Sequence, residues 1–380
     1  MDPGFDGCKL CINDLLLNIP FSAVDITEKD SQFIANRTLE DFIRSEINGR
    51  KYLLGQRAKD SLLESSNRAE AKQMDTYYTL GRFKTYEYKV AIKSFLAYAL
   101  YKYEKHCKEN NIKDGFTIDE LNNGNVELCV GVALPHSQKD EIWQESVLPA
   151  LLEPMQLKIM IGESAPVEFD FKLDEENLCM NSQVFSAMFS VTMNENGEYK
   201  PEAIDNKMLP MLVVDAGYLT VGIFLFSPTG EVVYAKSNQE FAMHNVNERV
   251  AGIMREYRPD VTAYNVETMA KKNEFLRYSF KENGETKYSF YNVKELQDTE
   301  IERAAVNLNS HFCNTFNDLL DVKTVIVAGG TGEQYYKHLE PEYTKRLINA
   351  NLATPEINGE AQKSVYAVVL GLYRSMKQIF

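Results

Sequence analysis

The segment MLVVDAGYLT, residues 211–220, decides the fold class that this sequence predicts. Its apolar start predicts a buried strand that ends at Asp215, and Gly217 permits a tight turn two positions later. A second apolar stretch follows, and it ends in the turn SPTG at 227–230, where proline presets φ and glycine permits a positive φ. We therefore expect antiparallel strands over residues 211–235, with an aspartate at the end of the first strand.

Two further glycine-containing elements lie far away in the chain. They are DPGFDGCK (residues 2–9) and VIVAGGTG (residues 325–332), the second of which runs from an apolar strand into a predicted helix. A bound triphosphate needs backbone N–H groups at close range, and only glycine lets the main chain approach without a Cβ in the way. Aspartate at a strand end can bind Mg²⁺ directly or through water, and lysine supplies a point charge to phosphates. A Gly-Gly-Thr-Gly loop lets a nucleoside lie against the backbone at a helix N-terminus. Any one of these elements is better explained as a structural turn, whereas their joint order is more specific.

Composition and charge narrow the class of protein. The chain has 380 residues and a formal net charge of −14. This length allows two domains. The acidity opposes direct binding to DNA or to an anionic membrane, so any action on nucleic acid would need an adaptor. No window reaches about 18 consecutive apolar residues, and the first residues carry no secretory pattern, so we expect a cytoplasmic protein without a membrane segment.

The cysteines and histidines give no metal pattern. The six cysteines are scattered, and the five histidines lack the spacing of a metal site. The segment CKLC at residues 8–11 has no second cysteine pair, as a zinc site requires, and it lies in a strand-like run rather than at a helix start. We interpret these cysteines as reduced thiols of a cytosolic protein.

Periodicity predicts the other elements. Apolar residues that recur every three or four positions indicate helices, and alternating ones indicate strands. The predicted helices cover residues 56–71, 86–107, 139–152, 182–188, 245–257, 300–319 and 362–377. The predicted strands cover 7–21, with a turn at 13–14, and 126–134, 211–235 and 323–328. Residues 27–50 are interpreted as irregular, 194–206 as a linker and 258–299 as a charged, inserted subdomain.

In this order, the elements resemble the actin-like ATPases, and within them the bacterial plasmid-segregation actins of the ParM type. The segments that carry the resemblance are DPGFDGCK (2–9), YLLGQRA (52–58), VGVALP (130–135), NSQ (181–183), VVDAGYLT (213–220) and VAGGTG (327–332). The resemblance spans nearly the whole chain. It implies an α/β fold of the two-lobed actin-like (actin/Hsp70/sugar-kinase) ATPase class, with a central interlobe nucleotide cleft.

The resemblance also implies lobe boundaries. Lobe I would comprise residues 1–206 and 362–380, with a small inserted subdomain near 30–60. Lobe II would comprise residues 207–361, with an inserted subdomain near 245–300. Asp2-Pro3-Gly4 and Asp215-Ala216-Gly217 stand near the front of the two halves, an echo that a duplicated lobe would leave. Only Met1 precedes Asp2, whereas the family has a full apolar strand there, so we expect the first sheet to lack part of its opening strand.

The same resemblance implies the site residues and their ligands. Asp2 and Asp215 would organise Mg²⁺ through its waters, and Gln183 would orient the attacking water, a positioning role suited to phosphoryl transfer. Without the resemblance, Gln183 would be interpreted as a solvated residue at a helix start. The remaining nucleotide-binding residues would be Gly4, Lys9, Gly217, Thr220, Gly329, Gly330 and Thr331. The nucleotide would be ATP, with GTP possible, since no clear base-binding motif lies around Glu248 and Arg249.

The function that the resemblance implies is an ATPase that polymerises with Mg·ATP and disassembles on hydrolysis. Its filaments would segregate plasmid DNA through a DNA-binding adaptor of the ParR type on plasmid centromere DNA, without direct contact to nucleic acid or membrane. Two alternatives remain open at the level of sequence. One is a small-molecule kinase, which would need a general base near the acceptor hydroxyl. The other is a non-polymerising switch or scaffold that binds nucleotide.

Overall fold

A computed structural model describes residues 1–4, 7–28, 42–64, 80–205 and 207–380. The chain divides into two compact units. Unit 1 comprises residues 1–198, 356–361 and 368–380, and unit 2 comprises residues 199–355 and 362–367. These bounds differ from the predicted lobes in three segments: 199–206 and 362–367 belong to unit 2, and 356–361 belongs to unit 1. Part of the inserted subdomain expected near 30–60 lies outside the described residues.

The strands follow in chain order. They are β1 Asp2–Pro3, β2 Cys8–Ile12, β3 Leu15–Ile19, β4 Ala23–Asp25, β5 Ile43–Ile47, β6 Arg50–Leu54, β7 Val130–Leu134, β8 Leu157–Ile161, β9 Val167–Phe169, β10 Leu178–Ser182, β11 Met211–Ala216, β12 Val221–Phe226, β13 Val232–Asn238, β14 Phe275–Glu282, β15 Glu285–Asn292, β16 Thr324–Ala328, β17 Asn349–Leu352, β18 Glu356–Ile357 and β19 Glu360–Ala361.

The α-helices of the described residues are α1 Gly55–Glu64, α2 Tyr86–Asn110, α3 Ile118–Asn122, α4 Lys139–Ile142, α5 Leu148–Leu152, α6 Gln183–Thr192, α7 Pro201–Ile204, α8 Met243–Met254, α9 Ala263–Lys271, α10 Val293–Thr315, α11 Gly330–Lys345 and α12 Ala367–Met376. A π-helical turn, Trp143–Val147, joins α4 to α5. Short 3₁₀ helices lie at Leu80–Lys84, His136–Gln138, Glu175–Asn177, Asn317–Leu319 and Ser364–Tyr366.

Unit 1 is built around the long helix α2 and two groups of strands. Strands β1, β2 and β3 form an antiparallel meander, and β7 and β10 run parallel to each other. The Met1 amino group donates to the carbonyl of Gly131 at 2.8 Å, and the N–H of Ala133 donates to the carbonyl of Met1 at 2.9 Å. This bond pattern sets β1 parallel to β7. A second sheet, in the order β4-β6-β5-β8-β9, completes the unit.

Unit 2 repeats the first strand arrangement. Its sheet has the order β13-β12-β11-β16-β17, antiparallel from β13 to β11 and parallel from β11 to β17. In both units a meander ends on the strand that carries the Asp-x-Gly sequence, and parallel strands continue from there. The predicted echo between Asp2-Pro3-Gly4 and Asp215-Ala216-Gly217 therefore corresponds to matching positions in two similar sheets.

A small helical and hairpin region lies inside unit 2, within the stretch predicted to be an inserted subdomain. Helices α8 and α9, the β14–β15 hairpin and the start of α10 share an apolar cluster of their own. The buried members of this cluster are Val250, Ala251, Met254, Val261, Val266, Ala270, Leu276 and Val293.

Several predicted elements are confirmed and others are corrected. Helix α2 was expected over 86–107, and the strand β16 and the turn at 13–14 were also expected. The irregular reading of 27–50 is wrong for β5, because this polar strand pairs with both β6 and β8. Of the strand expected over 126–134, only residues 130–134 form a strand, β7. The helix expected over 300–319 corresponds to α10, which begins seven residues earlier, at Val293. The segment expected to be a helix over 56–71 is described only as far as α1. Strand β1 has two residues.

Two further observations concern the whole described chain. No helix in the described ranges is long and apolar enough to cross a membrane. All six cysteines are free. Burial raises the pKa of both Cys8 and Cys11 to about 12, so neither thiol ionises near neutral pH.

Candidate nucleotide site

The first glycine loop is held by the β1–β2 pair. Asp2 lies opposite Lys9 in this antiparallel register, and only 4% of Asp2 is exposed. The N–H of Gly4 donates to the carbonyl of Asp2 at 2.9 Å. A Cβ on Gly4 would lie 2.9 Å from the Nζ of Lys9. The lysine ammonium therefore lies beside the main chain at Gly4, and glycine at this position leaves room for it.

Gln183 contacts this loop although it lies 181 residues after Asp2 in the chain. It is the first residue of α6 and follows β10 directly. Its Nε2 donates to the Oδ1 of Asp2 at 2.8 Å across a sequence separation of 181 residues. The contact arises because β1, β7 and β10 run parallel, so that the residues at their carboxyl ends meet at one edge. The structure thus brings Asp2, Gly4, Lys9 and Gln183 together.

Arg82 fixes the same loop, and no pattern in the sequence indicated it. Its guanidinium donates to the carbonyls of Pro3 at 2.6 Å and Gly4 at 3.3 Å, and 2% of the residue is exposed. It lies within 5.7 Å of three aromatic ring centroids, those of Phe21, Phe83 and Tyr88. A buried cation on these two carbonyl groups holds the main chain in place at Pro3 and Gly4. Sequence reasoning missed it because it lies in an isolated 3₁₀ turn without periodicity.

The second glycine loop joins β11 to β12 in unit 2. Asp215 lies in β11, and the N–H of Gly217 donates to the carbonyl of Thr220 at 2.9 Å. The Oγ1 of Thr331 donates to the carbonyl of Gly217 at 2.9 Å. From the other side, the N–H of His244 at the start of α8 donates to the carbonyl of Tyr218 at 2.8 Å. The loop is therefore held by both α11 and α8.

Gly329 shows the closest approach in this region. It has a φ of +88°, in the left-handed region that favours glycine. A Cβ added there would lie 2.3 Å from the carbonyl oxygen of Ala216 and 3.0 Å from the Oδ1 of Asp215. The Gly-Gly-Thr-Gly loop at residues 329–332 and the second Asp-x-Gly loop are thus in direct backbone contact, which any side chain at position 329 would prevent.

Helix α11 begins at this contact. Gly329 is its N-cap, and no side chain caps the helix. The first-turn N–H groups of Gly330 and Thr331 point out of an uncapped helix end, an arrangement that suits an anion. At the expected base-binding position, the Nε of Arg249 donates to Glu300 at 2.9 Å, and Arg255 forms an ion pair with Glu248 at 3.0 Å. These pairs identify no base preference.

The candidate residues fall into two sets, each within one unit. Unit 1 holds Asp2, Gly4, Lys9 and Gln183, and unit 2 holds Asp215, Gly217, Thr220, Gly329, Gly330 and Thr331. Among the described residues, no group of three or more His, Cys, Asp or Glu side chains could hold a metal ion.

Comparison with known proteins places the fold. No protein family profile and no curated protein sequence matches the chain. Among solved structures, a non-polymerisable quadruple mutant of pCBH ParM has a TM-score of 0.63 at 14% identity, over 99% of this chain and 98% of that chain. The actin-like protein Alp7A has a TM-score of 0.62 at 14% identity, over 100% and 95% of the two chains. Bacillus thuringiensis ParM with ATP has a TM-score of 0.55 at 14% identity, over 99% and 97%.

Each of these similarities extends over almost the whole length of both chains that are compared. The chain therefore has the actin-like fold, and the predicted α/β class and the predicted resemblance to ParM-type proteins are confirmed at the level of fold.

Proposed function

We propose that this protein is a nucleotide-dependent, filament-forming ATPase of the bacterial actin type. It would bind Mg·ATP, or Mg·GTP, polymerise in the cytoplasm and disassemble when the γ-phosphate is hydrolysed. The observation that carries the proposal is the hydrogen bond between Gln183 and Asp2, which couples the predicted water-positioning residue to a predicted metal-organising carboxylate.

The geometry of Gln183 suits an attacking water. Because its Nε2 donates to Asp2, its Oε1 is the acceptor end of the amide. An acceptor in this place would accept a hydrogen bond from an O–H group of a water molecule. This bond would orient the water so that a lone pair of its oxygen points at the γ-phosphorus. Such positioning supplies much of the catalysis in phosphoryl transfer, since the protein has little covalent chemistry to perform.

The other residues would hold the phosphates and the nucleoside. Lys9 would neutralise phosphate charge beside Gly4, and the loop at Gly217 would offer backbone N–H groups. Gly329, Gly330 and Thr331 would carry the nucleoside at the start of α11. Asp2 and Asp215 would hold Mg²⁺ through its waters, and the ion would offset charge on the phosphate oxygens.

The comparisons support filament formation, and the net charge supports an adaptor. One similar protein is described as a non-polymerisable mutant of ParM, and another as ParM with ATP. The net charge of −14 disfavours direct contact with DNA, so a DNA-binding adaptor of the ParR type would connect the filament to the plasmid centromere.

The test is right-angle light scattering after addition of Mg·ATP and, separately, Mg·GTP, with phosphate release and electron microscopy on the same samples. We expect scattering to rise with visible filaments and then to decay as phosphate appears, and the more effective nucleotide identifies the base. Asp215→Ala should abolish nucleotide turnover. Asp321→Ala is the matched control, since Asp321 is an exposed aspartate of the same unit.

Two results would contradict the proposal. If the Asp215→Ala variant hydrolyses nucleotide at the parent rate, the assignment of Asp215 to the nucleotide site is wrong. Nucleotide binding without any assembly at protein concentrations up to the high micromolar range would favour a kinase or a monomeric switch.

A further inference from the structure

The two faces of the β14–β15 hairpin in unit 2 differ in chemistry. The hairpin turns at Asn283 and Gly284, whose φ angles of 50° and 83° are those of a tight two-residue turn. Directly opposed residues of an antiparallel pair share a face. The outer face therefore carries Phe275, Arg277, Ser279, Lys281, Thr286, Tyr288, Phe290 and Asn292. The inner face packs on the unit through Tyr278, whose ring centroid lies 4.4 Å from that of Tyr257.

The outer face exposes three large aromatic side chains. Phe275 is 55% exposed, and Tyr288 and Phe290 are each 64% exposed. Given 150–250 Å² for a whole aromatic side chain, they leave roughly 350 Å² of ring surface in water. Phe275 and Phe290 touch edge to face at 5.3 Å, and the guanidinium of Arg277 lies 4.5 Å from the ring centroid of Tyr288. An exposed patch of this size on a folded unit commonly marks an interaction site.

The outer face is also cationic. Arg277 and Lys281 lie on it, and within the hairpin the carboxylates of Glu282 and Glu285 oppose each other on the inner face. The chain as a whole carries a net charge of −14. Aromatic residues with arginine and few acidic groups are typical of the core of a protein interface.

We infer that the outer face of the β14–β15 hairpin is a contact surface for an acidic surface of a second copy of this chain. This inference rests on the proposed function, of which it names one protomer contact. A second copy is the occupant because a patch that has cations and no carboxylate complements a chain that is strongly acidic elsewhere. Two such patches would repel each other, so the contact joins unlike surfaces. Contact between unlike surfaces is head-to-tail, and it produces an open helical assembly when the rotation between neighbouring copies does not close into a ring.

The experiment compares the critical concentration for assembly with Mg·ATP, and with Mg·GTP, among three variants and the parent protein. Tyr288→Ser/Phe290→Ser removes the rings, and Arg277→Glu/Lys281→Glu reverses the charge. Lys287→Glu is the control, because it reverses a single charge on the inner face of the same hairpin. We expect the first two to raise the critical concentration by about 30-fold, the effect of losing an interface hot spot. Lys287→Glu should leave it within about 3-fold, because surface ion pairs contribute little. Binding of a fluorescent ATP analogue should be unchanged in all three.

The outcomes separate this inference from the proposed function. If the parent assembles and both outer-face variants assemble equally well, the inference is wrong and the proposed function stands. If the ring variant is impaired and the charge reversal is not, the acidic partner surface is wrong. If the parent forms no assembly with either nucleotide, the proposed function fails and this contact fails with it. Tight binding of fluorescein-labelled oligo-dT by the parent, lost in the Tyr288→Ser/Phe290→Ser variant, would assign the face to single-stranded nucleic acid instead.

Discussion

Substitution of Gly329 by alanine is the sharpest test of the candidate residues in unit 2. The added Cβ would lie 2.3 Å from the carbonyl oxygen and 2.9 Å from the carbonyl carbon of Ala216, and both are backbone atoms that have no rotamer to change. The φ of +88° adds the cost of a left-handed conformation, about 1–2 kcal/mol for a residue with a Cβ. Overpacking of a tight contact costs about 1–3 kcal/mol more. We therefore expect Gly329→Ala to lower the free energy of unfolding by about 2–5 kcal/mol.

The matched control is Gly230→Ala in the same unit. Gly230 has nearly the same φ, +85°, and a Cβ there would meet only the Cδ1 of Leu209 at 3.7 Å, an ordinary contact. This variant should therefore show only the conformational cost of about 1–2 kcal/mol. The difference between the two variants isolates the close approach of Gly329 to Ala216.

The assays are urea denaturation followed by circular dichroism and titration with a fluorescent ATP analogue. Gly329→Ala should lose nucleotide affinity because the loop must move away from Asp215, whereas Gly230→Ala should keep it. The reasoning is refuted if the two variants unfold within about 0.5 kcal/mol of each other and bind the nucleotide with equal affinity, since effects of that size are typical of unremarkable surface changes.

Three further predictions follow from single contacts. Gln183→Ala should reduce phosphate release by about 100-fold or more while nucleotide affinity changes little, because positioning acts mainly on the chemical step; a quench-flow measurement showing an unchanged rate would contradict this. Arg374 is 4% exposed and donates to the carbonyls of Ser190, Met193 and Glu356. Its replacement by methionine should lower the free energy of unfolding by about 3 kcal/mol or more, as measured by denaturation. Burial lowers the pKa of His244, so the folded protein disfavours the protonated imidazole. The stability that the neutral imidazole provides is complete above the unfolded pKa of about 6.5 and is lost as the pH falls below that value. His244→Gln should therefore lose less stability than the parent protein between pH 7.5 and 5.5.

The sequence by itself determined the elements whose signals are local. The apolar run before Asp215, the helical stripe of α2 and the strand before Gly329 each have a periodicity or a turn residue that acts within a few positions. The fold class followed from their order along the chain, which solved structures of the actin-like fold confirm.

Only the tertiary structure decided which of these elements meet. The bond between Gln183 and Asp2 spans 181 residues, and no local pattern encodes it, because it depends on three strands running parallel. The same holds for Arg82 on the first loop and for β5, a polar strand stabilised by pairing with β6 and β8 rather than by its own propensity. The outer face of the β14–β15 hairpin lies in a stretch that the sequence showed only as charged, because strand register places Arg277 and Lys281 on one face and the carboxylates of Glu282 and Glu285 on the other. Local chemistry sets the elements, whereas contacts between distant residues are set by packing and register, which a single sequence does not display.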